Sequence, residues 1–155
     1  SDGVRVKKCW DCAVGRFSRN STATSCEACV PPLTTMAEGS TSCDACQTLH
    51  YMNEDGICKE CPDGTDCDKE GNKLATLIVK PGYFRASPTS KELYPCPLGE
   101  ISCPGGSNGT EDALCDTSLG YTGPLCAVCQ CSLEEECYFK DALSKKCLSC
   151  DESDG

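Results

Sequence analysis

The sequence predicts a small disulfide-rich fold, mostly irregular with short β-hairpins, drawn out as an elongated rod of stacked cysteine-rich repeats. Three observations predict it. Eighteen of the 155 residues are cysteine, which ordinary core packing does not require. The pairs Cys9-x2-Cys12, Cys26-x2-Cys29 and Cys43-x2-Cys46 recur at a period of 17 residues, and Cys58-x2-Cys61 follows at 15. Large apolar residues are sparse, with three Phe and one Trp, so a normal core cannot offset the entropy of ordering the chain. Disulfides act on the unfolded ensemble instead, at about 2–4 kcal/mol per bridge. They persist in oxidising surroundings, so the expected location is extracellular or at the cell surface.

Charge and hydropathy narrow the partners. A net charge of −10 repels nucleic-acid phosphates. No apolar run reaches the length of a membrane span, and no signal peptide is recognisable. With cysteines close to both ends, the expectation is a mature product or a segment of a longer extracellular protein. Asn20-Ser21-Thr22 and Asn108-Gly109-Thr110 are acceptor triplets for N-glycans. Asn108 is the stronger of the two, because Gly105-Gly106-Ser107-Asn108-Gly109 reads as an exposed loop.

Three regions follow one another. Residues 1–61 hold the tandem 17-residue repeats. Thr24-Ser25-Cys26-Glu27-Ala28-Cys29 aligns with Thr41-Ser42-Cys43-Asp44-Ala45-Cys46, Phe17 aligns with Thr34 and Tyr51, and Gly15 aligns with Pro32 and Leu49. An aromatic just after a cysteine pair can cover a disulfide, and units this small stack on their neighbours. Residues 62–131 depart from the period. Cys61-Pro-Asp-Gly-Thr-Asp-Cys67 reads as a turn closed by its own cysteines. Leu74–Val79 is the best strand, and Lys80-Pro81-Gly82 turns into Tyr83 and Phe84. Residues 132–155 hold the acidic run Glu134-Glu135-Glu136, a short helix predicted over Leu133 to Lys145, a partial repeat ending in Cys147-x2-Cys150, and a disordered acidic tail.

The motif Cys-x2-Cys-x2-Gly-x-aromatic-Ser, seen from Cys9 to Ser18, resembles the ephrin-receptor-like cysteine-rich repeat. That repeat is similar in style to the modules of tumour-necrosis-factor receptors. The resemblance covers residues 9–61, with a return at 137–150. The succession Cys61–Cys67, Lys80–Arg85 and Gly120–Cys129 is similar to a cysteine-rich ectodomain pattern of large algal and protist surface proteins. Its end resembles an epidermal-growth-factor-type or laminin-type repeat. These resemblances imply a building block of a surface protein and name no ligand.

Two pairings fit the spacing. In a ladder, the second cysteine of each pair bonds the first of the next: Cys12–Cys26, Cys29–Cys43, Cys46–Cys58 and Cys61–Cys67, with Cys9 left for a partner elsewhere. In a crossed scheme, Cys9–Cys26 accompanies Cys12–Cys29, and Cys43–Cys58 accompanies Cys46–Cys61. The glycine and aromatic after Cys12 suit a ladder loop of about 15 residues, worth roughly 3 kcal/mol, and the ladder is preferred.

Other chemistries fit less well. Cys9, Cys12, Cys26 and Cys29 have the spacing of a four-thiolate zinc site, but the next pair repeats at once and a basic surface is missing. Cys-x-x-Cys redox chemistry needs a helix N-terminus on a βαβ scaffold. His50, the single histidine, lacks a nucleophile and an orienting acid in its motif. Asp66-x-Asp68-x-Glu70 begins like a calcium loop, yet Leu77 stands where the bidentate Glu belongs. The expectation is therefore a chain without cofactor, metal or enzymatic activity.

Function is read as an extracellular structural or adhesive module of a surface or matrix protein. It acts as a disulfide-stapled spacer and contacts other chains or copies of itself. The alternative is a ligand-binding receptor ectodomain of the tumour-necrosis-factor-receptor style. The stretch Leu77, Val79, Lys80, Tyr83, Phe84 and Arg85 is the predicted interaction segment, either as an edge strand that pairs with another chain or as the small core of the central region.

Overall fold

The computed structural model describes residues 11–20, 25–106, 108–131 and 137–150. These divide into two compact units. One holds the described residues up to Glu60 together with Asp68–Asn72. The other holds Cys61–Cys67 and the described residues from Lys73 onward. The described residues contain short β-hairpins, single 3-10 turns and eight disulfides, with no α-helix. The fold is therefore a small, disulfide-rich and mostly irregular one.

In the first unit, β1 (Arg16–Phe17) pairs antiparallel with β2 (Glu27–Ala28), and β3 (Leu33–Thr34) pairs with β4 (Ala45–Cys46). β5 (His50–Met52) pairs with β6 (Cys58–Glu60). Gly15, Pro32 and Leu49, which share a register in the sequence, each stand just before the first strand of a hairpin. Strands this short bury too little to persist alone. Each is held by a bridge at its base: Cys12–Cys26, Cys29–Cys43 and Cys46–Cys58.

Neighbouring repeats are tied through the backbone. Gly39 N–H donates to Cys12 O at 2.8 Å, and Ser18 N–H donates to Ser40 O at 3.1 Å. Gly15 N–H finds the Thr35 hydroxyl at 2.9 Å. Thr34, in the aromatic register of the second repeat, and Thr35, whose hydroxyl accepts from Gly15, are both buried. Tyr51 fills the aromatic register of the third repeat and is buried, whereas Phe17 is half-buried.

The second unit repeats this geometry without the strict cysteine period. β7 (Thr65–Asp66) precedes β8 (Asn72–Lys73), whose Asn72 belongs to the first unit and donates from Nδ2 to His50 O at 3.3 Å. β7 pairs with β9 (Ile78–Val79), and β10 (Tyr83–Phe84) pairs with β11 (Tyr94–Pro95). β12 (Tyr121–Thr122) pairs with β13 (Val128–Cys129), and β14 (Tyr138–Lys140) pairs with β15 (Cys147–Ser149). Gly64, Gly82 and Gly120 stand before β7, β10 and β12, as Gly15 stands before β1.

Val79 occupies a cysteine position. It precedes Gly82 by three residues, as Cys12 precedes Gly15. Its carbonyl accepts from Gly106 N–H at 2.8 Å, as Cys12 O accepts from Gly39 and Cys46 O from Gly71, both at 2.8 Å. Leu93 follows Val79 at the separation of 14 that Cys26 keeps from Cys12. The hairpin register thus recurs in the second unit, with Val79 and Leu93 at the positions that Cys12 and Cys26 hold in the first.

Two sequence expectations need correction. The strand predicted over 74–79 is confined to Ile78–Val79, because Leu74–Thr76 forms a 3-10 turn. Leu74 and Leu77 both point inward at a three-residue spacing, which suits a turn rather than a strand. The helix predicted over Leu133 to Lys145 is, among its described residues, a strand at Tyr138–Lys140 followed by a turn. The bridges Cys131–Cys137 and Cys129–Cys147 draw that stretch into a hairpin. Glu134–Glu136 and the tail 151–155 lie outside the described residues.

The register equivalence is testable. A Val79→Cys/Leu93→Cys variant should form an additional intramolecular disulfide, seen as two further hydrogens lost in the non-reduced mass. Its loop length corresponds to roughly 3 kcal/mol of added stability. Two free thiols in the folded variant would contradict the equivalence.

Candidate interaction site

The predicted interaction segment lies largely inside the second unit. Leu77, Val79, Phe84 and Arg85 are all buried. Of the six residues only Lys80 is exposed, and Tyr83 is half-buried. Leu77 and Val79 flank the exposed Ile78, as strand alternation demands. β9 is one edge of its two-stranded sheet with β7, and on that strand the Val79 carbonyl already accepts from Gly106 N–H at 2.8 Å. Tyr83 lies along Gly64, whose φ of 87° and lack of a side chain make room for the ring; an added Cβ would come within 2.9 Å of three ring carbons.

Phe84 belongs to a cluster with Tyr121 and the bridges Cys96–Cys103 and Cys115–Cys126, with Leu98, Leu125 and Cys147 packed against it. Sulfur supplies much of the apolar mass that the composition withholds. The sulfurs of Cys96, Cys103 and Cys126 lie within 4.8 Å of one another, but each is already committed to an S–S bond. The same holds for Cys12, Cys26 and Cys29 of the zinc-like spacing, while Cys9 lies outside the described residues. The pairings Cys12–Cys26, Cys29–Cys43, Cys46–Cys58 and Cys61–Cys67 are those of the ladder.

Arg85 is the largest fully buried side chain, and its charge is spent on backbone carbonyls. Nη2 donates to Leu74 O at 2.8 Å, Pro88 O at 2.7 Å and Ser90 O at 2.8 Å, and Nε donates to Ser90 O at 3.0 Å. These bonds satisfy Nε and Nη2, while the buried Nη1 has no hydrogen-bond partner among the described residues. The guanidinium holds together the cysteine-free stretch that no bridge orders, so its role is structural.

The remaining sequence candidates are dispersed. His50 sits half-buried in β5 with Nδ1 3.0 Å from Thr48 O. Asp66, Asp68 and Glu70 are exposed, and Leu77 is buried. Asn20 and Asn108 are both exposed; Ser21, Thr22 and Ser107 beside them lie outside the described residues. Cys150 is exposed, and its N–H donates to Cys137 O at 2.9 Å.

One surface feature escaped the sequence reading. The turn between β14 and β15 presents Ala142, Leu143, Ser144, Lys145 and Lys146 to solvent. Asp141 builds it: its N–H donates to Lys146 O at 2.9 Å, its carbonyl accepts from Lys145 N–H at 3.0 Å, and its carboxylate accepts from Ser144 N–H at 2.6 Å. These hydrogen bonds, led by Ser144, hold the Asp141 carboxyl below its ordinary range. The available signal was charge segregation. No Lys or Arg occurs from Glu92 to Phe139, and Lys140, Lys145 and Lys146 then arrive together.

Together these features define a class: a disulfide-stapled set of small hairpins. Residues 3–46 match a family model described as tyrosine-protein kinase ephrin type A/B receptor-like. That match covers under a third of the chain. No curated protein and no solved structure matches the chain. An ephrin-receptor-like cysteine-rich segment with this density of disulfides supports an extracellular protein-interaction module. Among the described residues no helix is long and apolar enough to cross a membrane.

Two outcomes follow. Arg85→Met should cost about 3 kcal/mol or more in denaturant unfolding, because three carbonyls lose their donor, whereas Lys80→Met should stay within about 0.5 kcal/mol; equal effects would contradict the assignment. Since Asp141 titrates low when folded, its turn-stabilising contribution is complete above the unfolded-state pKa and lost as pH falls through the folded one. The Ser144 amide resonance should therefore move at a lower pH than a free aspartate titrates, and Asp141→Asn should abolish that movement.

Proposed function

We propose that the chain is an extracellular structural or adhesive module of a surface or matrix protein, serving as a disulfide-stapled spacer and as a protein–protein contact. The observation that carries this reading is the use of the cysteines. They close successive hairpins and fill the interior of the second unit, so the chain's investment is in a stiff surface rather than in a reactive centre. The role involves no catalysis and no cofactor. The likeness of the central stretch to algal and protist ectodomains, and of Gly120–Cys129 to an epidermal-growth-factor-type ending, belongs to the same reading. A receptor ectodomain that takes a soluble protein ligand is the second reading, favoured by the ephrin-receptor-like match at residues 3–46.

Light scattering of the secreted, oxidised chain separates the two. Association that grows with concentration and disappears on reduction and alkylation supports the structural module. A chain that stays monomeric and binds a soluble protein at one-to-one stoichiometry supports the receptor.

N-glycans are part of the proposal, and the exposure of both acceptor asparagines supports it. Enzymatic deglycosylation of the secreted chain should lower its mass, and Asn108→Gln should remove one glycan. An unchanged mass in both experiments would refute glycosylation.

A further inference from the structure

The turn between β14 and β15 inverts the character of this chain. Residues 139–148 carry three lysines and one aspartate, a net of +2 on a chain of net −10. The aspartate is Asp141, whose carboxylate is spent on the Ser144 N–H. The ammonium groups of Lys145 and Lys146 meet no acid among the described residues. Leu143 at the apex is 93% exposed, the highest value among the exposed large apolar residues, and Phe139 on β14 is also exposed. Leaving a leucine in water forgoes the free energy of burying it. The turn is nonetheless held by the Asp141 hydrogen bonds, with Cys129–Cys147 anchoring its return strand. An apolar apex flanked by cations that meet no acid among the described residues is suited to dock on an acidic, apolar surface.

The same chain offers such a surface. The stretch from Glu92 to Cys131 has no basic residue, and it exposes Tyr94 beside Glu92 and Ile101 beside Glu100. Tyr94 donates its hydroxyl to the Glu92 carboxylate at 2.5 Å, so that acid is held next to its aromatic neighbour. An anionic membrane would attract the lysines but repel the rest of a chain this acidic. Charge complementarity therefore favours protein over lipid.

We propose that the β14–β15 turn docks head-to-tail on a second copy of this chain, with Leu143 seated against the exposed side chains of Tyr94 and Ile101 and Lys145 and Lys146 paired with Glu92 and Glu100. The proposal rests on the protein-contact reading and names its surfaces. The two patches differ, so the contact is heterologous and propagates into rings or open chains.

Sedimentation velocity on the oxidised, secreted chain tests it. Wild-type protein should associate with rising concentration, and more weakly at high salt. Leu143→Asp and Lys145→Glu/Lys146→Glu should each weaken association about tenfold or more, with the full set of disulfides retained by mass. A Glu92→Lys/Glu100→Lys variant should be equally weak alone. Mixed with Lys145→Glu/Lys146→Glu, it should recover association, which no folding defect can mimic. If both turn variants associate like wild type, the turn is not the contact, and the protein-contact reading stands without it. If wild-type protein remains monomeric throughout, self-association itself is overturned. Binding of that monomer to phosphatidylserine-containing vesicles, lost in Leu143→Asp, would then reassign the turn to an anionic lipid surface.

Discussion

Closure of very short hairpins is the constraint on which the rest of this structure depends. Two- and three-residue strands leave most backbone groups to solvent and bury almost nothing, so the chain must hold their ends by other means. Disulfides do this from Cys12 to Cys67. A second device runs beside them, in which a glycine N–H from a later segment binds the carbonyl of Cys12, Cys46 or Val79. The covalent link limits the unfolded ensemble, and the hydrogen bond orients one hairpin against the next.

The substitution at Val79 shows that these two devices are separable. Where the cysteine is lost, the glycine contact remains, and burial takes over part of the staple's work. The cost is a stretch of chain that no bridge orders. Arg85 answers that cost by gathering the carbonyls of Leu74, Pro88 and Ser90 around one guanidinium. A buried charge is a poor way to gain stability in general, but five donors on one planar group are well suited to ordering a loop that lacks apolar residues.

The interior of the second unit absorbs most of the segment that the sequence offered for binding. Sulfur and aromatic rings fill the second unit, and the side chains expected to form a binding strand are part of that filling. The exposed chemistry that remains is unevenly distributed. Acids and isolated apolar residues occupy the base-free stretch after Lys91, and the three lysines that follow it lie on or beside one turn. Such segregation within a single chain is the usual basis for oriented, self-complementary association.

Sequence alone determined the disulfide character, the oxidising compartment it requires, the short-hairpin fold class and the register of Gly15, Pro32 and Leu49, because cysteine spacing and turn residues act locally. It left two pairings open, since loop length constrains both almost equally, and preferred the one the structure contains. It misread Leu74–Val79 as a continuous strand because a three-residue inward spacing and a two-residue one overlap in so short an apolar run. It read Leu133 to Lys145 as a helix because local propensity is blind to bridges made at Cys129 and Cys131. The tertiary structure decided these points, and it alone showed that Arg85 faces inward while Leu143 faces water. Burial depends on which distant segments meet, and here disulfides and glycine-to-carbonyl contacts, rather than hydrophobic periodicity, choose them.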